Sequence, residues 1–317
     1  MSILTWFGIF VASLCVLILA ARFFTRSAES IGVALGMSSF ATGVIIVAIG
    51  TSLPELISSV IAVSKGSSEI VSGNVIGSSI SNLFFVLALT AILAPASIRL
   101  GEQYIFIDLH FLIGSAFLLA LTAWDGQVSR LEALLLLAGY LIYTVHLLKE
   151  GKPASDPGDP STEKARRSPV QGKDLLIVGV SAVFIFLGAN YTITSLEVIA
   201  GSLGISKSVI SVTLLSLGTT LPESVVSITA ARQGKADIAV GNILGSCIFN
   251  AMAVTGIASL IDPVSFPEEL KTLPLPLYLI GVVFFYLLTQ DKKISPWEGL
   301  LFLLFYIFFI LKMGGMA

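Results

Sequence analysis

Ten mostly apolar stretches, each long enough to cross a bilayer, take up almost the whole chain: 3–25, 31–63, 69–95, 104–124, 131–149, 174–201, 207–231, 237–261, 273–290 and 296–314. About 20 consecutive apolar residues span the hydrocarbon core as a helix. The pattern therefore predicts an all-α integral membrane protein with ten transmembrane helices. The first stretch has no basic segment before its apolar run, and Arg22 and Arg26 follow it, so it is expected to be a mature helix rather than a secretory signal. The long polar interruption, 149–173, is rich in Pro, Gly, Ser and charges of both signs and reads as a solvated linker. The chain then divides into a first five-helix repeat over 1–148, the linker over 149–173 and a second five-helix repeat over 174–317.

The two halves share sequence. Sliding the chain by 168 positions lays GTSLPE at 50–55 on GTTLPE at 218–223, and GNVIGSSISN at 73–82 on GNILGSCIFN at 241–250. Fifteen of the thirty-three positions from 50 to 82 are identical to their partners without a gap, which marks an internal repeat. An odd number of spans per copy makes partner helices cross in opposite directions, the inverted-repeat arrangement of secondary transporters.

Pro54 and Pro222 stand inside apolar stretches. A proline within a helix removes a hydrogen bond and clashes with the preceding turn, so discontinuous helices are predicted at the centre of each half. In hydrocarbon such a break is tolerated only where it is buried in protein or lines a wet cavity. The carbonyls released lie about one turn before the proline, which nominates Gly50 and Thr51 and their neighbours Ala48 and Ser216 as backbone ligands for a cation.

Glu55 and Glu223 directly follow the prolines. A carboxylate at the bilayer centre costs at least about 2.5–3.5 kcal/mol on insertion scales, so two at matching positions point to use. The surrounding motifs offer oxygen: hydroxyls of Thr51, Ser52, Thr219 and Thr220, then the pairs Ser78 and Asn82, and Ser246 and Asn250. Each pair is four residues apart and so lies on one helix face, where it can look at the opposing glutamate. Hard cations take oxygen ligands whereas transition metals favour His and Cys, so the set argues for Ca²⁺ or Na⁺ over zinc, copper or iron. Two carboxylates match one divalent ion, and Na⁺ ions or two protons could replace it. Gly73, Gly77, Gly241 and Gly245 repeat every four residues, a spacing that lets helices approach closely.

Composition agrees with a life in lipid: 55% of residues are hydrophobic and 12% charged, against about a quarter charged in soluble domains. A net charge of −2 gives no argument for nucleic acid as a partner. With the amino terminus outside, the loops assigned to the cytoplasm collect thirteen of the Lys and Arg residues and the opposite side five. The positive-inside rule then places both termini outside and the linker in the cytoplasm. Cys15 and Cys247 lie in separate spans and are not expected to pair, and His110 and His146 lie outside the repeated motifs. No Ser-His-Asp set, HExxH or Walker-type loop is present, so the chain is not read as an enzyme, and no cofactor or protein partner is expected beyond transported ions and the lipid bilayer.

The pairs GTSLPE with GNVIGSSISN and GTTLPE with GNILGSCIFN resemble the two α-repeats of the sodium/calcium exchanger family, within the wider cation/calcium antiporter group. The likeness covers about 40–90 and 207–258 and extends more loosely to the ten-span layout; the short linker implies a prokaryotic-type member without regulatory domains, in a plasma membrane. The resemblance implies antiport by alternating access, the first and sixth helices sliding against the rest, with Ca²⁺ exported as Na⁺ flows in. It implies that Glu55 and Glu223 chelate Ca²⁺ with the Thr51 and Thr219 carbonyls. Sodium sites would add the Ala48 and Ser216 carbonyls, Ser52, Ser78, Thr220 and Ser246. Many sodium-coupled members carry Asp where this chain has Asn250, whereas Asn82 matches them. The amide keeps a Ca²⁺/H⁺ antiporter as the alternative, with a cation channel behind it.

Overall fold

A computed structural model describes residues 3–100, 108–150, 170–202 and 220–313. The linker from 151 to 169, the first part of the seventh predicted span and both chain ends lie outside the described residues, as do Ser216 and Thr219. The described helices are α1 (Ile3–Ala34), α2 (Ser39–Thr51), α3 (Leu53–Ser64), α4 (Ser68–Leu93), α5 (Leu109–Thr122), α6 (Arg130–Glu150), α7 (Gly172–Ser202), α8 (Leu221–Arg232), α9 (Ala236–Ile261), the short α10 (Glu268–Thr272), α11 (Pro274–Leu288) and α12 (Pro296–Met313). Among them, seven segments are long and apolar enough to cross a membrane, and eight if the bent pair α2–α3 counts as one span. The shorter α5 and α8 occupy the described parts of the predicted stretches 104–124 and 207–231.

One expectation needs correction. The first helix does not end near residue 25 but continues to Ala34. The drop in hydropathy at Arg22 and Arg26 does not end the helix, because Phe24, Ala28 and Ile31 keep a buried face running along the extension. The described residues are otherwise helical, as expected of an all-α protein, with four very short strands in the loops. Two-residue strands β1 (Ile98–Arg99), β2 (Gln127–Val128), β3 (Val264–Ser265) and β4 (Lys293–Ile294) form two antiparallel pairs, β1 with β4 and β2 with β3. Each pair joins loops that the charge pattern assigns to the same membrane side, and the repeat relation carries one pair onto the other.

Burial sorts the helices into centre and rim. In the most apolar window of α9, 89% of residues are buried inside the protein, and in that of α4 78%, against 17% for α1 and 22% for α6 and α12. The rim helices keep exposed apolar residues such as Leu135, Leu141, Leu304 and Ile307, as lipid-facing helices do. α4 and α9 carry the Ser/Asn pairs, so these motifs lie at the core.

Close backbone contact seats α2 against α9. A Cβ on Gly43 would lie 2.5 Å from the Ile238 carbonyl oxygen, and one on Gly241 would lie 2.5 Å from that of Phe40. Gly245 sits as tightly against Val44 and Ala48. The glycine spacing of the second repeat is thus a helix contact, while Gly73 and Gly77 meet nothing within 4 Å.

Candidate ion-binding site

The helix break falls at Ser52, two residues before the proline, with φ −93° and ψ 7°; α2 and α3 meet there at 44°. The repeat reproduces it at Thr220, with φ −93° and ψ 4°. Pro54 and Pro222 therefore occupy the first turn of the following helix, where a missing N–H costs nothing, rather than interrupting one from within. Glu55 and Glu223 share that first turn, at the positive end of the helix dipole, which favours a carboxylate.

The break also decides which carbonyls are released. Ser52 N–H still donates to the Ala48 carbonyl at 2.9 Å, and Leu56 N–H donates to that of Ser52 at 3.2 Å. The Ala48 carbonyl, expected to be free, thus keeps its helical partner and also accepts the Thr51 hydroxyl at 3.3 Å. The Gly50 carbonyl loses its partner because Pro54 has no N–H, and the Thr51 carbonyl sits at the break itself.

Besides Gly50, twelve residues are nominated from sequence, and ten of these are described: Ala48, Thr51, Ser52, Glu55, Ser78, Asn82, Thr220, Glu223, Ser246 and Asn250. Each is 2% exposed or less. Bonds between the halves bring several of them together. The Ser52 hydroxyl donates to Glu223 Oε1 at 3.0 Å and lies 2.9 Å from Ser246 Oγ. Asn250 Nδ2 donates to Ser78 Oγ at 3.0 Å. Glu223 is thereby held beside the break that precedes Glu55.

Five oxygens of this set are buried without a hydrogen-bond partner among the described residues: both carboxylate oxygens of Glu55, Oε2 of Glu223, and the amide oxygens of Asn82 and Asn250. A buried acceptor left without a donor is costly, and one such atom would call for an explanation. Five acceptors on facing helices, with released carbonyls beside them, have the donor chemistry that a hard cation requires.

Sequence reasoning passed over two residues that hold the site in place. Asn242 Nδ2 donates to Ser227 Oγ at 2.8 Å and to the Glu223 carbonyl at 3.4 Å, while its Oδ1 accepts the Thr51 hydroxyl at 3.0 Å. In the first half, Asn74 Nδ2 makes the matching contacts to Ser59 Oγ at 3.4 Å and to the Glu55 carbonyl at 3.5 Å. All four of these Asn and Ser residues are among the identities between the two halves, a signal available from the sequence. The chain also widens into π-helix at Asn82–Val86 and Phe249–Val254, at the two amides, and at Gly43–Ala48. Such bulges turn side chains relative to a regular helix and recur at functional sites.

The chain is similar to known proteins along nearly its whole length. Residues 5–149 and 173–313 match the family model described as sodium/calcium exchanger protein. Sodium/calcium exchanger MaX1 of Methanosarcina acetivorans is 31% identical, over 96% of this chain and 97% of its own length. A membrane protein of Methanocaldococcus jannaschii, MJ0091, is 33% identical over 97% of this chain and 98% of its own. A solved structure of the sodium-calcium exchanger NCX_Mj, soaked with zero Na⁺ and Ca²⁺, superposes with a TM-score of 0.80 at 29% identity, covering 98% of this chain and 100% of that one. The protein is a multi-pass membrane protein.

Proposed function

Because the chain belongs to the sodium/calcium exchanger protein family, we propose that it exports Ca²⁺ in exchange for Na⁺ by alternating access. The observation that carries this reading is the group of five buried, unpartnered oxygens on the glutamates and amides of the two repeats. Ca²⁺ takes six to eight oxygens. Glu55 and Glu223 would supply its countercharge, and the released Thr51 carbonyl, with that of Thr219 in the other half, would complete its shell. Na⁺ would use the same carboxylates with Ser52, Ser78, Thr220 and Ser246. The Ala48 and Ser216 carbonyls would serve as weaker sodium ligands, that of Ala48 after sharing its lone pairs with two donors.

Exchange follows from the electrostatics. Two carboxylates without a cation are penalised in a buried, low-dielectric site, so the empty protein resists carrying them between the two faces. One Ca²⁺ or a set of Na⁺ ions neutralises them and permits the passage. Each crossing is then tied to a bound ion, which makes transport an exchange rather than a leak. Proton coupling is not favoured, because the family and its full-length relative are named for sodium/calcium exchange.

The ten-helix layout of two inverted five-helix repeats, 1–148 and 174–317 about the linker 149–173, belongs to the same reading. Its support is the matched backbone at Ser52 and Thr220, the paired loop strands and the two asparagine brackets. Both termini would face outside, with the linker in the cytoplasm.

The test is transport by protein reconstituted in liposomes. A Na⁺ gradient directed out of the vesicle should drive radiolabelled Ca²⁺ inward. Uptake driven by a pH gradient and indifferent to Na⁺ would replace the sodium assignment, and Ca²⁺ flux without any counter-ion would make the protein a channel.

A further inference from the structure

Away from the ion site, α1 and α8 enclose a cavity of about 310 Å³ with an unusual lining. Arg22 and Arg26, one turn apart on α1, face Arg232 at the end of α8 across it. Among the described residues none of the three has an ion-pair partner, although nearby Lys235 is neutralised by Glu29 at 2.5 Å. Beside them the Gln233 side chain, which also lines the cavity, buries both amide atoms without a hydrogen-bond partner.

The lining changes along the two helices: about one turn before Arg22 on α1 and one turn before Arg232 on α8 the cavity is walled by Ile18 and Ile228. Guanidinium groups pair with phosphate oxygens in a bidentate fork, and an unpaired amide can add a further donor. A free inorganic anion would satisfy the rim but leave the apolar wall uncovered. A ligand with a charged head and a hydrocarbon tail covers both. The arginine end is also the side to which the basic loops assign the cytoplasm, where anionic lipids attract basic residues.

We propose that this groove binds an anionic phospholipid, its phosphate held by Arg22, Arg26 and Arg232 and one acyl chain lying along Ile18 and Ile228. The inference is independent of which ions the protein exchanges.

Native mass spectrometry of the full chain, released from bilayers of mixed phosphatidylglycerol and phosphatidylcholine, tests it. The protein should retain phosphatidylglycerol in preference. Each arginine replaced should lower that preference about fivefold, so that Arg26→Gln with Arg232→Gln removes most of it. Ile18→Trp, which fills the tail path and leaves the arginines in place, should lower retention of phosphatidylglycerol as well. If the double Gln variant does not elute as a monodisperse peak, the Arg26→Lys and Arg232→Lys pair replaces it; it keeps the charge and loses the fork, and a reduced preference is again expected. Equal retention of the two lipids, an unchanged preference in either the arginine or the Ile18 variant, or displacement of the lipid by inorganic phosphate would overturn the proposal.

Discussion

Glu55 and Glu223 occupy the same place in the two halves, yet their surroundings differ. Glu223 has the Ser52 hydroxyl on one carboxylate oxygen, and Asn242 brackets its carbonyl with bonds of 2.8 to 3.4 Å to Ser227, Thr51 and the Glu223 carbonyl itself. Among the described residues neither carboxylate oxygen of Glu55 has a hydrogen bond, and its bracket through Asn74 has contacts of 3.4 and 3.5 Å. The amides follow suit: Asn250 donates to Ser78, while among the described residues neither polar side-chain atom of Asn82 has a partner. Among the described residues, then, the bonds around Glu223 are the more numerous and the shorter.

The largest effect is expected at the carboxylates, where the two halves should be equally indispensable. Glu55→Gln and Glu223→Gln should each abolish Ca²⁺ uptake in proteoliposomes while the protein remains monodisperse. Normal uptake in either variant would remove that residue from the site.

The brackets should separate the halves. Asn242→Ala leaves several buried partners unpaired and should lower stability by about 1–3 kcal/mol, read as a lower midpoint in thermal unfolding in detergent. Asn74→Ala, which among the described residues removes long contacts of 3.4 to 3.5 Å, should shift the midpoint less. Equal shifts would mean that the two halves are braced alike.

Ser52→Ala removes the hydroxyl on Glu223 and a proposed sodium ligand together. It should raise the Na⁺ concentration needed for half-maximal exchange about tenfold, the equivalent of one contact of about 1.4 kcal/mol, and change Ca²⁺ dependence less. An equal effect on both ions would place Ser52 in a shared structural role. The smallest change is expected from Asn250→Asp, which adds a titratable group beside Ser78. Exchange by this variant should weaken as pH falls and protons compete for the new carboxylate, and a pH profile matching the parent would place Asn250 away from the ions.

Much of this was legible before any coordinates. Hydropathy located the spans, because burial in lipid demands long apolar runs. The 168-residue repeat exposed Glu55 and Glu223, because acids are too costly in that setting to be incidental. The end of α1 was missed since its polar residues interrupt the apolar run without ending the helix. The break was set at Pro54 and Pro222 by the rule for prolines inside helices, whereas each proline proved to open a new helix after Ser52 or Thr220. That shift kept the Ala48 carbonyl bonded. The π-helical turns beside Asn82 and Asn250 leave no periodic trace in sequence, since they arise from how the ladder yields to packing. Asn74 and Asn242 were visible in the repeat, but their bracing role depends on partners far away in the chain.

The central claim is that one carboxylate from each half builds a single Ca²⁺ site, and calorimetric titration of the purified protein with Ca²⁺ tests it most directly. One Ca²⁺ should bind per chain, and either Glu55→Gln or Glu223→Gln alone should remove it. Two ions per chain, or one surviving in each single variant, would mean that the halves bind independently and would contradict the account.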